Sequence, residues 1–153
     1  MEQSDDEAVR WYQKAADQGN ADAQFYLGVA YENGRGVEQS DEGTVRWYHQ
    51  AADQRHADAQ FCLGVAYENG RGVEQSDEWA VHWYRQAADQ GDAAAQCQMG
   101  FAYEEGRGVE QSNKEAVNWY RQAANQGDAD AVQFCLEIEA AIAAAEAEAA
   151  ENK

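Results

Sequence analysis

The sequence contains no proline, only three cysteines, few basic residues and no long apolar run. The absence of proline fits a chain of helices joined by glycine turns, because proline interrupts helix interiors. No apolar segment approaches the ~20 residues that a bilayer-spanning helix requires, so we expect no membrane segment. No basic stretch followed by an apolar core opens the chain either. We therefore expect a cytoplasmic location, with a secreted or periplasmic parent protein as the open alternative.

Basic residues are strongly outnumbered by acidic ones. The chain has 11 Lys and Arg against 29 Asp and Glu, which gives a formal net charge of −18. Such a surface repels phosphate groups, so nucleic acid and anionic membranes are poor partners. The charge balance instead favours a protein or peptide partner of basic character.

The cysteine pattern excludes two common frameworks. Cys62, Cys97 and Cys135 are odd in number and widely spaced, which argues against a disulfide scaffold and against a zinc site. Unpaired cysteines also favour a reducing compartment. We expect the three thiols to fill apolar niches beside helices, and we expect no cofactor and no metal.

The strongest feature of the sequence is an internal repeat. A Trp-Tyr pair recurs every 36 residues, with its tryptophans at Trp11, Trp47, Trp83 and Trp119. A period of this length indicates stacked supersecondary units rather than a domain with a catalytic cleft. We expect these four tryptophans to be half-buried structural residues.

Each period contains two helical patterns. In the first, residues 21–33, Ala23, Leu27 and Ala30 share one face. In the second, residues 41–54, the inner face carries Thr44, Tyr48, Ala51 and Ala52. All four serines precede the second pattern of a unit as predicted N-caps, which leaves none for a nucleophile; they are Ser4, Ser40, Ser76 and Ser112.

Two sets of glycines need separate explanations. Gly34-Arg35-Gly36 follows a helix and precedes a carboxylate-rich run, so it predicts a turn and not a phosphate-binding loop. Glycine also recurs in mid-helix, where it costs roughly 0.5–1 kcal/mol relative to alanine. We expect a neighbouring helix to approach closely at these positions, which are Gly28, Gly64 and Gly100.

One unit of this pattern resembles the Sel-one-like repeat, a relative of the tetratricopeptide repeat. The matching residues are Ala23, Leu27, Gly28, Tyr31, Gly34, Gly36, Val37, Ser40, Trp47, Tyr48, Ala51 and Ala52. The resemblance covers nearly the whole chain and implies an all-α fold, an α/α superhelical solenoid whose first helices line the concave side. Members of the family generally act as adaptors between proteins, so the resemblance implies an interaction scaffold and not an enzyme.

We expect a single solenoid domain over residues 1–153. Residues 1–20 correspond to an unpaired second helix, and three repeats occupy 21–56, 57–92 and 93–128. Residues 129–153 form a degenerate repeat that ends in a long helix rich in alanine and glutamate. Alignment of this last unit requires one extra residue, Val132, which turns the following helix face by ~100°.

The two ends suggest an alternative function. The first helix lacks a preceding partner, and the last helix carries an apolar stripe that includes Ile138 and Ile142. We hypothesise that these ends associate between molecules, so that the chain acts as a self-associating segment of a longer solenoid.

One junction departs from the pattern. Arg55 stands where the other units have Gly19, Gly91 and Gly127, and His56 replaces Asn or Asp as the cap. A left-handed conformation costs a non-glycine residue roughly 1 kcal/mol, so this junction is predicted to be strained. The other histidines, His49 and His82, lie at variable positions, and we expect all three to be solvated surface.

The predicted binding surface lies on the first helix of each unit. We expect a groove with an apolar floor and acidic edges. Two positions are possible for the side chains of Phe25 and Phe61: they either line this groove or pack between neighbouring repeats. Trp79 stands where the pattern expects a polar residue and is a candidate contact anchor, because aromatic residues dominate interface hot spots. The candidate residues are Phe25, Tyr26, Val29, Asn33, Phe61, Cys62, Val65, Asn69, Gln98, Phe101, Glu105 and Trp79.

Overall fold

The computed structural model describes the backbone of residues 2–153 and the side chains of residues 4–153. Within this range the chain forms eight α-helices and no strand, which confirms the all-α solenoid. Each helix packs against the next one in the chain. The helices are α1 (Glu2–Asp17), α2 (Ala21–Asn33), α3 (Asp41–Asp53), α4 (Ala57–Asn69), α5 (Asp77–Asp89), α6 (Ala93–Glu105), α7 (Asn113–Ala124) and α8 (Ala129–Glu151).

Side-chain caps and glycines set the helix boundaries. Ser40, Ser76 and Ser112 accept a hydrogen bond from the third backbone N–H of the helix that follows. Ser4 was predicted to be a cap of the same kind, but α1 begins at Glu2 and includes it. Left-handed glycines end α2, α4 and α6, so the Gly-Arg-Gly segments are turns as predicted.

The mid-helix glycines allow close helix packing. A Cβ added to Gly28, Gly64 or Gly100 would overlap a tyrosine ring of the following helix. The three tyrosines, Tyr48, Tyr84 and Tyr120, are almost completely buried. These glycines therefore face an adjacent helix, as the sequence predicted.

A row of glutamines, which the sequence reasoning missed, links successive repeats. The Nε2 of Gln60 donates to the carbonyl of Ala52 at 3.2 Å, and its Oε1 accepts from Gln90 at 2.6 Å. Gln24 and Gln96 make the equivalent pairs of bonds. Because buried polar groups are costly without partners, these bonds stabilise one alignment of neighbouring repeats.

The tryptophans of the Trp-Tyr pairs differ in burial along the chain. Trp47 and Trp83 are only 8% and 6% exposed, whereas Trp11 is 70% exposed. The expectation that all four are half-buried is therefore wrong for these three and holds only for Trp119. Trp47 is covered by Ala16, Ala23 and Leu27 of the preceding helices, and α1 has no such cover among the described residues.

The last helix buries the same positions as α2, counted from the cap. Its cap, Asp128, accepts from the N–H of Ala131, as Asn20 does from Ala23. Cys135 and Ile138, which are buried against α7, lie as far from this cap as the buried Leu27 and Ala30 lie from Asn20, whereas Leu136 is 57% exposed. The rotation expected from an extra residue at Val132 is therefore wrong, because α8 keeps the register of α2 and places Leu136 at the position of Gly28.

Candidate protein-binding clefts

Three equivalent clefts recur at 36-residue intervals, each between an odd-numbered helix and the even-numbered helix that follows. The first lies between α1 and α2, the second between α3 and α4, and the third between α5 and α6. Their volumes are about 200, 200 and 280 Å³, respectively. Each is therefore large enough for part of one amino-acid side chain.

The clefts share an apolar floor. A valine and a tyrosine of the odd-numbered helix form one side of this floor, as Val45 and Tyr48 do in the second cleft. The even-numbered helix forms the other side of the floor, where Cys62, Val65 and Ala66 line the second cleft. These are the positions that a helical wheel places beside the buried stripe.

Paired charges mark the rim of each cleft. The arginine of each Gly-Arg-Gly turn pairs with an aspartate at the start of the odd-numbered helix: Arg35 with Asp5 at 3.9 Å, Arg71 with Asp41 at 3.4 Å, and Arg107 with Asp77 at 3.6 Å. Exposed pairs of this kind add little stability, so their effect is to set the polarity of the rim. The sequence reasoning missed these arginines, although their recurrence at every turn was a signal.

In the second and third clefts a carboxylate holds the tyrosine of the floor. The hydroxyl of Tyr48 donates to Glu32 at 2.8 Å, and that of Tyr84 donates to Glu68 at 2.6 Å. Burial, followed by contributions that include these carboxylates, raises the pKa of both tyrosines far above its usual range. Both phenols are therefore neutral donors at physiological pH.

Acidic residues are more numerous at the third cleft. The second cleft is lined by Glu32, Asp41 and one arginine, whereas the third is lined by Glu68, Asp77, Glu105 and one arginine. The difference arises because Glu105 replaces the asparagine found at this position of α2 and α4. The third cleft is thus the more favourable of the two for a cation.

Nine of the twelve predicted site residues line these clefts. Tyr26, Val29 and Asn33 lie in the first; Phe61, Cys62 and Val65 lie in the second; Gln98, Phe101 and Glu105 lie in the third.

The other three predicted residues lie elsewhere. Phe25 packs between repeats, with its ring 5.6 Å from that of Tyr48 and 4.8 Å from that of His56. Asn69 donates to the carbonyl of Val65 at 3.0 Å and is not among the lining residues. Trp79 lines a separate surface cavity.

The thiols are poor nucleophiles. Burial, with smaller contributions from nearby acidic groups, raises the pKa of Cys62 and of Cys97 to about 11. Thiolates are the reactive form, so both groups are inert at neutral pH. Among residues 4–153, no cluster of His, Cys, Asp and Glu has the arrangement of a metal site.

Two histidines are not the solvated groups that were expected. The Nδ1 of His56 accepts from the N–H of Ala59 at 3.2 Å, and its Nε2 lies 3.0 Å from Asp22. His49 is half-buried, which lowers its pKa, and its Nε2 lies 3.2 Å from the hydroxyl of Tyr67. Both are structural because neighbouring repeats cover positions that a single helix would leave open.

Stacked helix pairs with equivalent clefts define the molecule as a helical repeat protein of the solenoid class. A family model for the Sel1 repeat matches residues 1–20, 21–56, 57–92 and 93–128, and the chain therefore belongs to the Sel1 repeat family. No curated protein sequence matches the chain.

Solved structures show the same architecture. A Sel1 repeat protein from Oxalobacter formigenes is 44% identical over 77% of this chain and 47% of that one, with a TM-score of 0.74. The protein c5321, a protective antigen of uropathogenic Escherichia coli strains, is 42% identical over 80% of this chain and 26% of that one, with a TM-score of 0.78.

A more distant structure shares the fold alone. The Helicobacter pylori cysteine rich protein B is 22% identical, with a TM-score of 0.69, and the match covers 88% of this chain and 96% of that one.

The family defines a general type of function. Sel1 repeat proteins mediate protein–protein interactions, and their scaffold is generally non-catalytic. The chain spans 47% and 26% of the length of the first two proteins above. Within residues 2–153, no helix combines the length and apolarity needed to cross a bilayer.

Proposed function

We propose that the chain is a scaffold that binds a basic protein segment across its row of clefts, on the face that the family resemblance predicts to be concave. The observation that carries this proposal is the recurrence of the same half-open cleft three times in register. A repeated site of this kind fits an extended polypeptide, which presents side chains at regular intervals.

Charge supports a basic partner. The chain carries a formal net charge of −18, and the acidic residues at the third cleft outnumber its arginine. A basic segment would be attracted over long range and would then place apolar side chains on the valine and tyrosine floor. Burial raises the pKa of Cys62 and of Cys97 to about 11, so neither thiol favours nucleophilic chemistry over this role.

Selection from a library of random peptides on phage tests this proposal. We expect the selected peptides to be enriched in Lys and Arg, with apolar residues between them. A synthetic peptide of the consensus sequence is then titrated by calorimetry against the wild-type protein and two variants. Val65→Glu places a charge on the second floor, and Glu105→Lys reverses the rim charge of the third cleft.

Each variant has a control with the same change of charge outside the clefts. Gln50→Glu matches Val65→Glu, and Glu110→Lys matches Glu105→Lys; both control positions are exposed. We expect the cleft variants to weaken binding about tenfold or more, equivalent to ~1.4 kcal/mol. Selected peptides without basic enrichment, or equal losses in the controls, would contradict the proposal.

A second candidate function is self-association through the ends. Trp11 is 70% exposed, and α8 exposes Leu136 (57%) and Val132 (44%). Arg10 and Lys14 lie beside Trp11, whereas α8 is rich in glutamate, so the two surfaces have complementary charge. Ile138 and Ile142, which formed the predicted stripe, instead pack against the cluster that α7 and α8 share.

Sedimentation equilibrium of two variants tests head-to-tail association. Trp11→Glu and Leu136→Glu each remove one surface, so each variant alone should remain monomeric. An equimolar mixture should form dimers, because each partner retains one intact surface. A wild-type protein that stays monomeric at high concentration would eliminate this function.

A further inference from the structure

Trp79 forms an exposed aromatic surface that the clefts do not use. Its side chain is 52% exposed on α5. The equivalent residues in the neighbouring repeats are Gly43 and Glu115, so only the middle repeat carries an aromatic ring here. Large exposed aromatic side chains on a soluble surface are characteristic of interaction sites.

Other rings hold Trp79 in place. It stacks on Tyr67 with the ring centroids 6.1 Å apart and an interplanar angle of 29°, and His82 lies edge-on to it at 5.3 Å. Tyr67 is fixed in turn by His49, whose Nε2 lies 3.2 Å from the tyrosine hydroxyl. The indole face is therefore presented in a defined orientation, which lowers the entropic cost of binding.

A surface cavity of about 510 Å³ opens beside this ring. Tyr67 and Trp79 form its aromatic wall, and the segment 73–76 with Glu74 forms the other side. A second carboxylate, that of Glu78, lies 3.4 Å from the hydroxyl of Ser76, which is itself a lining residue of the cavity. An aromatic face combined with carboxylates is the environment that a cationic side chain prefers.

The junction with the next repeat contains an internal version of the same interaction. Arg85 stands where His49 stands, and its guanidinium lies 5.9 Å from the ring of Tyr103, the equivalent of Tyr67. Arg85 also donates to the Tyr103 hydroxyl at 2.7 Å. Beside Tyr67, His49 of the preceding repeat takes the place of this arginine, so the chain itself supplies no guanidinium to Tyr67 by this route.

We propose that Trp79 and Tyr67, with Glu74 and Glu78, bind an arginine side chain of a protein partner. The guanidinium stacks on the indole face and pairs with a carboxylate at the cavity edge. Arginine fits better than lysine because its planar, weakly hydrated group both stacks and forms directional hydrogen bonds. This site is separate from the clefts and does not depend on the function proposed for them.

Trp11 provides an internal control. It is the other strongly exposed tryptophan, but the Nζ of Lys14 already lies 5.7 Å from its ring centroid. A site with its own cation should not attract a second one, so arginine should distinguish the two indoles.

The test is a titration of the ¹⁵N-labelled protein with N-acetyl-arginine amide, followed by the indole N–H signals. We expect a saturable shift of the Trp79 signal and none of the Trp11 signal. N-acetyl-citrulline amide, which lacks the charge, should produce no saturable shift. Equal responses to both compounds, equal responses of both indoles, or no saturable shift at Trp79 would overturn the proposal.

Two variants of the site and two control variants make this test more specific. Trp79→Gly introduces the residue of the preceding repeat, so it should not unfold the protein, and the saturable shift of the backbone N–H signal of Tyr67 on addition of N-acetyl-arginine amide should disappear. Glu74→Gln should weaken binding several-fold, whereas Glu110→Gln, at the same position of the next repeat, should leave it unchanged. If Glu74→Gln and Glu110→Gln bind N-acetyl-arginine amide with equal affinity, the carboxylate of Glu74 is not part of the site. Val65→Glu in the second cleft should have no effect, which separates this site from the clefts.

Discussion

At the scale of single residues, Arg55 is the clearest departure from the repeat. It is the only non-glycine residue in the described chain with a positive φ, at 69°, whereas its equivalents Gly19, Gly91 and Gly127 have φ values of 89°, 96° and 90°. We expect Arg55→Gly to stabilise the protein by about 1 kcal/mol. For a chain of this length the melting temperature should rise by ~3 °C, measured by circular dichroism.

Two further variants separate the backbone effect from a change of surface charge. Gly91→Arg creates the same strain at another junction, where a Cβ meets no neighbouring atom within 4 Å, and it should lower the melting temperature by a similar amount. Arg55→Ala removes the charge but keeps the Cβ, so it should give no comparable gain. If alanine stabilises as much as glycine, backbone strain is not the cause.

Cys62 gives a residue-scale prediction for alkaline pH. Its pKa is raised from 9.0 to about 11, chiefly by burial, because the folded state disfavours the thiolate. The unfolded chain therefore loses its proton first, and the contribution of this thiol to stability is full below pH 9 and disappears as the pH rises toward 11.

Thermal unfolding across this range should show the effect. Cys62→Gln introduces the residue of the next repeat, Gln98, and should lose less stability than the wild type between pH 9 and pH 11. Cys97 has a raised pKa in both proteins. The test therefore compares how steeply the stability of each protein falls as the pH rises. Identical slopes would mean that Cys62 does not titrate with unfolding.

At the scale of helices, α8 keeps the register of α2 and conflicts with the alignment that treats Val132 as an inserted residue. Ile138 is 5% exposed and Leu136 is 57% exposed, although Leu136 occupies the aligned position of a core leucine. We expect Ile138→Ala to cost about 2–4 kcal/mol. Leu136→Ala should change stability by less than about 0.5 kcal/mol, as surface substitutions usually do. Urea denaturation measures both, and the reverse order would show that α8 is rotated by an insertion at Val132.

The helices themselves were predictable because their signals are local. Caps such as Ser40 and glycines such as Gly34 define a boundary within a few residues, and the buried stripe follows from the helical period. The positions beside that stripe were not predictable, because a neighbouring repeat decides their burial. Phe25 and His56 stack across a junction, and Gln60 bonds to residues on both sides of it.

The cleft positions illustrate the same limit. Val65 and Phe101 could be placed on one face of their helices from the period alone. The wall that faces them comes from the preceding odd-numbered helix, and the rim comes from the arginine of a turn. A single-helix pattern contains no information on which residues of another helix approach it, so half of each cleft was missed.

At the scale of the whole molecule, the hydrophobic core is a series of clusters, each formed by consecutive helices. One buried cluster contains Val45 and Tyr48 of α3, Leu63 of α4 and Trp83 of α5, so it spans three consecutive helices. The next cluster repeats this arrangement one unit later. In such a solenoid the stability is approximately a sum of repeat and interface terms, because each unit contacts only its neighbours.

This arrangement predicts that one internal repeat can be removed without loss of the fold. Deletion of residues 57–92 joins His56 to Ala93, which begins α6 as Ala57 begins α4. The shortened chain should keep its helicity per residue and unfold cooperatively, with a free energy of unfolding lowered by roughly 2–5 kcal/mol. Deletion of residues 57–74 is the control, since it removes only α4 and its turn and leaves Tyr84 without Gly64. The control should lose cooperative unfolding in circular dichroism melts, and two deletions of equal effect would show that the 36-residue unit is not the unit of packing.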